Sequence, residues 1–86
     1  MNTFALVISS PDGEVYSGDV LKITLRGAEG DLAIMAGHIP FVTSVKPCDL
    51  RIELSDGEVK TGKTGGGLLT VAPEKVTFLS GSFSWK

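Results

Sequence analysis

Two side chains suited to metal binding or nucleophilic catalysis occur once each in the 86 residues: His38 and Cys48. A zinc site combines several imidazole and thiolate ligands, which this pair cannot supply. The sequence also lacks the strand–Gly-x-Ser-x-Gly–helix segment that presents a serine nucleophile in hydrolases. We therefore predict no catalytic residue, no metal site and no cofactor. His38 is interpreted as a loop residue between Gly37 and Pro40, and Cys48 as a small turn residue.

A run of glycines, Thr64-Gly65-Gly66-Gly67, raises the question of phosphate binding. Consecutive backbone N–H groups can form an anion-binding nest. A nucleotide-binding loop also requires a Lys-Ser/Thr pair that opens a helix, whereas Leu68-Leu69-Thr70-Val71 reads as a strand. The alternative is a bulge or a close backbone approach at which a side chain would not fit.

Acidic side chains cluster around one glycine-containing segment, at Glu29 and Asp31. The spacing of a calcium-binding EF-hand loop is absent. These carboxylates are therefore either solvated loop charges or contacts to a partner. The chain as a whole has 10 acidic and 8 basic residues, for a net charge of −2. This balance argues against nucleic-acid binding, which requires a basic surface.

The elements that would position these residues are short strands. With 42% hydrophobic and 21% charged residues, the chain has the composition of a globular domain. Turn signals such as Ser10-Pro11-Asp12-Gly13 and Ser55-Asp56-Gly57 recur at intervals of about 5–10 residues, too short for helices. Between them apolar residues alternate, as in Leu50, Ile52 and Leu54, which is typical of half-buried strands. The pattern predicts a single all-β domain over residues 1–86, a sandwich or barrel.

Three further features bear on the cellular compartment of this domain and on its C-terminal tail. The longest apolar run, residues 4–8, is too short for a membrane span or a signal peptide. One cysteine allows no internal disulfide, which fits a reducing compartment. The tail, residues 80–86, is either irregular or an edge strand. Its aromatic residues Phe83 and Trp85 would either pair onto a sheet edge or form an exposed patch covered by a partner.

Several segments, in this order and spacing, resemble the epsilon subunit of the bacterial rotary (F-type) ATP synthase. They are Ser10-Pro11-Asp12-Gly13, Gly27-Ala28-Glu29-Gly30-Asp31-Leu32, Gly37-His38-Ile39-Pro40, Lys46-Pro47-Cys48-Asp49-Leu50-Arg51-Ile52, Gly65-Gly66 and Val76-Thr77-Phe78-Leu79. The resemblance covers residues 4–79. It implies a flattened, two-sheet antiparallel β-sandwich of about ten short strands. Two departures matter for the backbone, since Ala33 and Cys48 stand where the family has glycine and would be strained at positive φ.

The resemblance implies a non-catalytic rotor subunit of the central stalk, which couples the gamma subunit to the membrane c-ring in ATP synthesis and proton transport. It would lie peripherally on the cytoplasmic face of the bacterial plasma membrane, without inserting into it. The family's C-terminal helical hairpin is expected after Leu79, and the sequence shows none. ATP binding and helix-mediated inhibition are therefore not expected. The alternative is a free-standing adaptor or ligand-binding β-sandwich outside the synthase.

The resemblance also implies two contact surfaces. The c-ring would be contacted by Glu29, Gly30, Asp31, Leu32, Gly37 and His38. The gamma subunit would be contacted by Ser10, Thr43, Phe78, Leu79 and Ser80. We add Phe83 and Trp85 to the gamma surface from the position of the aromatic tail, and not from the family.

Overall fold

A computed structural model describes residues 2–37 and 39–86, and these form ten β-strands joined by short connections. None of the described residues belongs to a helix that could cross a membrane. The strands are β1 (Phe4–Ser10), β2 (Gly13–Val20), β3 (Lys22–Gly27), β4 (Gly30–Met35), β5 (Phe41–Val45), β6 (Cys48–Glu53), β7 (Val59–Thr64), β8 (Gly67–Val71), β9 (Lys75–Ser80) and β10 (Phe83–Trp85).

The strands form two layers that share one hydrogen-bonded ladder, in the order β10-β7-β6-β3-β5-β8-β9-β1-β2, with β4 on the other side of β3. The ladder changes layer along β3. Ile23 pairs with Ile52 of β6, whereas Gly27 pairs with Val45 of β5. Layer one therefore holds β4, β3, β6, β7 and β10, and layer two holds β5, β8, β9, β1 and β2.

The core lies between the layers because alternate side chains of each strand point inward. The predicted apolar rows form one buried cluster. Its fully enclosed members are Leu6, Ile8, Val20, Ile23, Ile52, Leu69, Val76 and Phe78. Burial of each large aliphatic or aromatic side chain contributes about 1.5–3 kcal/mol, which fixes the register of the strands. The prediction of an all-β sandwich is confirmed.

One pairing departs from the antiparallel arrangement expected throughout. β1 and β9 run parallel, with Leu6 opposite Val76 and Ile8 opposite Phe78. Strands joined by a tight hairpin must be antiparallel, but β1 and β9 are separated by seven intervening strands. Their relative direction is therefore set by the path of the whole chain, which local alternation does not reveal.

At the glycine run, the backbone passes close to the backbones of neighbouring segments. Gly66 has φ +101°, and a Cβ there would lie 2.7 Å from the Val45 carbonyl oxygen. A Cβ on Gly67 would collide with the Leu79 carbonyl oxygen. The interpretation as a site where a side chain would not fit is confirmed. In contrast, no described residue other than glycine has positive φ, so Ala33 and Cys48 are not strained.

The tail folds back as an edge strand. β10 pairs with β7, with Phe83 opposite Thr64. The ring of Phe83 lies over Gly62, where a Cβ would come within 2.5 Å of it. Trp85 makes edge contacts with Phe83 and with Tyr16 of β2, at ring-centroid distances of 4.9 and 6.2 Å. The aromatic tail thus joins the two ends of the ladder.

Candidate functional site

The first candidate surface is the β3–β4 hairpin, residues 26–31, which we call the acidic hairpin. Gly27 pairs with Gly30, so Ala28 and Glu29 form a two-residue turn. Gly30 has φ +133°, a conformation that suits glycine. Glu29 projects into solvent at the tip. The backbone of Ala28 is tied to the second layer because its N–H donates to the Ser44 carbonyl at 3.1 Å.

The predicted c-ring contacts have different environments. Glu29, Gly30 and Asp31 are exposed on the acidic hairpin, whereas Leu32 is half-buried and packs against the core. Gly37 is exposed in the next turn, with φ +86°. His38 lies outside the described residues. The structure therefore places three of the six as exposed neighbours on one hairpin.

The second candidate surface is the outer side of layer two, where most outward side chains carry no charge. We call it the neutral face and define it by Ala5, Val7, Ser9, Val42, Ser44, Leu68, Thr70, Thr77 and Leu79. These residues share one side because strand alternation and register place them opposite one another, as in Leu68 and Leu79. Charged side chains stand at its margins, where Lys75 and Asp19 both flank Ala5 and Glu14 is opposite Ser9.

Three large aliphatic side chains on the neutral face are exposed to solvent. Val42 is 62% exposed, Leu79 51% and Leu68 43%. Leu68 and Leu79 lie directly opposite each other, and Val42 is on the neighbouring strand β5. A shallow depression beside them is lined by Ser9, Ser10, Pro11, Gly66, Gly67, Leu68, Leu79, Ser80 and Gly81. Adjacent exposed apolar groups without charges are typical of a protein-binding surface.

Four of the predicted gamma contacts lie in two different places. Ser10, Leu79 and Ser80 all line the depression beside the neutral face. Thr43 is on β5 but points away from that face, and it lines a cleft with Glu29 and Leu32 of the hairpin region. The structure therefore brings Thr43 together with residues assigned to the c-ring surface.

Two of the predicted gamma contacts have side chains that do not reach the surface. Phe78 is fully buried, because it belongs to the inward row of β9. Ser80 is 4% exposed, and its hydroxyl is 2.6 Å from the Thr64 hydroxyl and donates to the Ser82 carbonyl at 2.6 Å. Of the segment 78–80, only Leu79 offers its side chain to a partner.

The tail aromatics lie on layer one and not on the neutral face. Phe83 is half-buried and Trp85 is 43% exposed. The Lys60 ammonium lies 5.8 Å from the centroid of the Trp85 ring. Partial burial raises the pKa of the neighbouring Tyr16, and the carboxylates of Glu58, Asp19 and Asp56 add to this. These contacts give the tail a packing role within the molecule.

The outer side of layer one carries charges that neutralise one another, and we call it the charged face. It is defined by Lys22, Arg26, Asp31, Asp49, Arg51, Glu53, Val59, Thr61 and Lys63. Lys22 pairs with Glu53 at 4.0 Å, and Arg26 with Asp31 at 3.0 Å. The tail's Lys86 binds Asp49 at 2.6 Å and by this hydrogen bond lowers the pKa of that carboxyl group.

Within residues 2–37 and 39–86, no group of three His, Cys, Asp or Glu side chains is placed to hold a metal ion. Every buried side-chain polar atom in this part of the chain has a hydrogen-bond partner. The Thr64 hydroxyl, for example, accepts the Gly66 N–H at 3.1 Å. The polar groups of the interior therefore serve to hold the fold.

Sequence reasoning missed Val42 and Leu68 of the neutral face and Arg26 of the acidic hairpin. A signal existed for Leu68 and for Arg26. Leu68 follows the glycine run and precedes the inward Leu69, so alternation predicts that it points outward. A two-residue turn at Ala28-Glu29 places Arg26 directly opposite Asp31.

Comparison with known proteins identifies the family of this sandwich. Residues 3–86 match the family model described as ATP synthase, Delta/Epsilon chain, beta-sandwich domain. The chain belongs to this family. It is 36% identical over 85 residues to the ATP synthase epsilon chain of Clostridium perfringens, covering 99% of this chain and 64% of that relative. It is 39% identical over 80 residues to the epsilon chain of Bacillus velezensis, covering 93% and 60%.

Solved structures agree with the fold. A chain of the Euglena gracilis mitochondrial ATP synthase (OSCP/F1/c-ring) has a TM-score of 0.91 and 24% identity over 96% of this chain and 53% of that one. A chain of the Tetrahymena thermophila mitochondrial ATP synthase (central stalk/c-ring) has a TM-score of 0.83 and 19% identity, covering 96% and 66%. The predicted resemblance to the epsilon-subunit β-sandwich domain is confirmed. The chain spans less than two thirds of the length of the curated relatives.

Proposed function

We propose that this chain is a non-catalytic central-stalk subunit of an ATP synthase and couples the gamma subunit to the c-ring. The observation that carries the proposal is the neutral face, because a set of uncharged outward side chains that includes three exposed aliphatic ones suits a permanent protein partner. Membership of the epsilon family makes gamma the candidate partner. The subunit would be peripheral, on the cytoplasmic face of the bacterial plasma membrane.

The neutral face fits gamma docking in its shape as well as its chemistry. Leu68 and Leu79 stand side by side, and the depression beside them is walled by Ser10 and Pro11 of the β1–β2 turn. An apolar side chain of gamma seated there would cover both leucines. A few well-packed apolar anchors at the centre of an interface provide most of its binding free energy.

The acidic hairpin supports the second contact, to the polar loops of the c-ring. Its tip carries Glu29 in an exposed turn, flanked by Asp31. An exposed carboxylate at the end of a stiff hairpin suits a cationic loop. Since Ala28 is bonded to β5 of the other layer, force on the hairpin passes directly into the second layer. A packed sandwich core transmits such force without yielding.

Calorimetric titration of the chain into purified gamma subunit of the same source tests the proposal. We expect saturable one-to-one binding with a negative heat-capacity change, because apolar surface is buried. If the folded chain produces no binding heat at several temperatures, gamma is not its partner. That result would favour the free-standing adaptor.

A further inference from the structure

A second inference concerns the two carboxylates of the acidic hairpin, and it rests on the proposed docking of this hairpin onto a cationic partner. Asp31 and Arg26 are directly opposite residues of β4 and β3. Their side chains therefore emerge on the same side of the hairpin, and the Arg26 Nε donates to Asp31 Oδ1 at 3.0 Å. The pairing follows from the register of the hairpin.

The backbone of Arg26 is held in place where β3 passes between the layers. Its N–H donates to the Cys48 sulfur at 3.4 Å, and its carbonyl accepts the Lys46 N–H at 3.0 Å. Because the backbone of Arg26 is fixed, its side chain extends from a defined position beside Asp31. The pair is exposed, and within the part of the chain that the structure describes one carboxylate oxygen of Asp31 makes no contact, but a cation that approaches Asp31 is repelled by the Arg26 guanidinium.

Glu29 is in a different situation although it lies only two residues away. It sits in the turn beyond the Gly27–Gly30 pair, and among the described residues no ion pair or side-chain hydrogen bond involves it. Its carboxylate is therefore available to a cation without competition inside the molecule.

We propose that Arg26 is a specificity-determining residue of the hairpin: it neutralises the charge of Asp31 and leaves Glu29 as the carboxylate that binds the cationic loop of the partner. Arg26 thereby determines how many carboxylates of the acidic hairpin lack an internal ion pair, and where on the hairpin they lie. The partner's basic side chain docks at the tip of the hairpin and not on the flank that bears Asp31.

The test compares three hairpin variants of the full chain, including Arg26→Gln alone, each assembled with gamma and titrated against purified c-ring in detergent at low ionic strength. The first is Glu29→Gln, which removes the free carboxylate. The second is the double variant Arg26→Gln/Asp31→Asn, which removes the internal pair and keeps the net charge. Asp56→Asn, in the β6–β7 turn, removes one negative charge elsewhere and controls for long-range attraction.

We expect Glu29→Gln to weaken binding about three- to fivefold at low salt, the range of an exposed ion pair. The double variant should bind within about twofold of the unaltered chain, as should Asp56→Asn. Arg26→Gln alone should strengthen binding, because it frees Asp31 as a second carboxylate. The salt dependence should fall in Glu29→Gln and not in the double variant.

The inference is overturned if the double variant loses affinity while Glu29→Gln does not, since Asp31 would then be the contact and Arg26 its positioning partner. If every hairpin variant binds as the unaltered chain does, the hairpin is not a docking element. The second result would remove the c-ring half of the proposed function, and the calorimetric test with gamma would remain independent of it.

Discussion

The two outer sides of the sandwich are built from the same strand pattern and differ in chemistry. On the charged face, many outward residues are charged, and two opposite pairs, Lys22 with Glu53 and Arg26 with Asp31, are ion pairs. On the neutral face the corresponding places hold Thr, Ser, Val and Leu, and Leu68 stands opposite Leu79. Both sides are exposed in the isolated chain.

The difference indicates which side remains in water. Exposed ion pairs contribute about 0–1 kcal/mol each to stability, but burying them beneath a partner would cost the solvation of several charges. Uncharged threonines and aliphatic side chains lose little on burial, and the interior of a protein interface is depleted of charged residues. The neutral face is thus suited to a permanent partner, and the charged face to solvent.

The largest expected effect comes from disturbing the backbone beneath the neutral face. Gly67→Ala places a Cβ against the Leu79 carbonyl group, so β8 and β9 must separate. We expect a loss of about 3 kcal/mol in the free energy of unfolding, measured by urea titration. Gly81→Ala is the control, because a Cβ there meets only the Gly66 carbonyl oxygen at an ordinary 3.5 Å. Equal stability of the two variants would show that the close approach is not required.

A charge placed on the neutral face should abolish most of its binding capacity. Leu79→Glu adds a carboxylate at a position that is 51% exposed, so the fold should tolerate it. We expect the affinity for gamma to fall by about 2 kcal/mol in calorimetry. Val59→Glu is the matched control, since Val59 is 43% exposed on the charged face. A similar loss in both variants would contradict the distinction between the faces.

The tail variant Trp85→Ala should affect stability and leave binding unchanged. It removes the edge contacts to Phe83 and Tyr16, each worth about 0.5–1.5 kcal/mol. We expect the free energy of unfolding to fall by about 1–2 kcal/mol, with Trp85→Phe falling less. Reduced affinity for gamma in Trp85→Ala, at unchanged stability, would extend the gamma interface to the tail.

The smallest expected effect is on the acid titration of the charged face. Lys86 lowers the pKa of Asp49 in the folded state, so this contact stabilises fully above the ordinary carboxyl pKa of about 4. Its contribution disappears as the pH falls through the lowered folded-state pKa. In NMR titrations, Lys86→Gln should raise the titration midpoint of Asp49. An unchanged midpoint would mean that the contact does not form in solution.

Much of the fold follows from local pattern. Alternation at Leu50 and Ile52 predicts both the strand and its inward side, and Asp56-Gly57 predicts the following turn. The parallel neighbour of β1 could not be predicted, because alternation specifies which residues face the core and not which strand lies alongside. The change of partner along β3 could not be predicted either. Alternation does not show that β3 pairs with β6 at Ile23 and with β5 at Gly27.

The candidate site was predictable to a smaller extent. The family resemblance predicts Glu29 and Asp31 as a partner contact, but the Arg26 pairing that distinguishes them required the hairpin register. Leu79 was correctly expected at the surface, whereas its neighbours Phe78 and Ser80 point inward by the same alternation. The neutral face as a whole depends on which strands are adjacent, and that is a property of the topology.

Photo-cross-linking from the two faces tests the central claim most directly. An encoded benzophenone amino acid replaces Ser44 on the neutral face or Thr61 on the charged face, both exposed and outward. After assembly with gamma and irradiation, we predict a covalent product with gamma from position 44 and none from position 61. Cross-linking from position 61 alone would contradict the account.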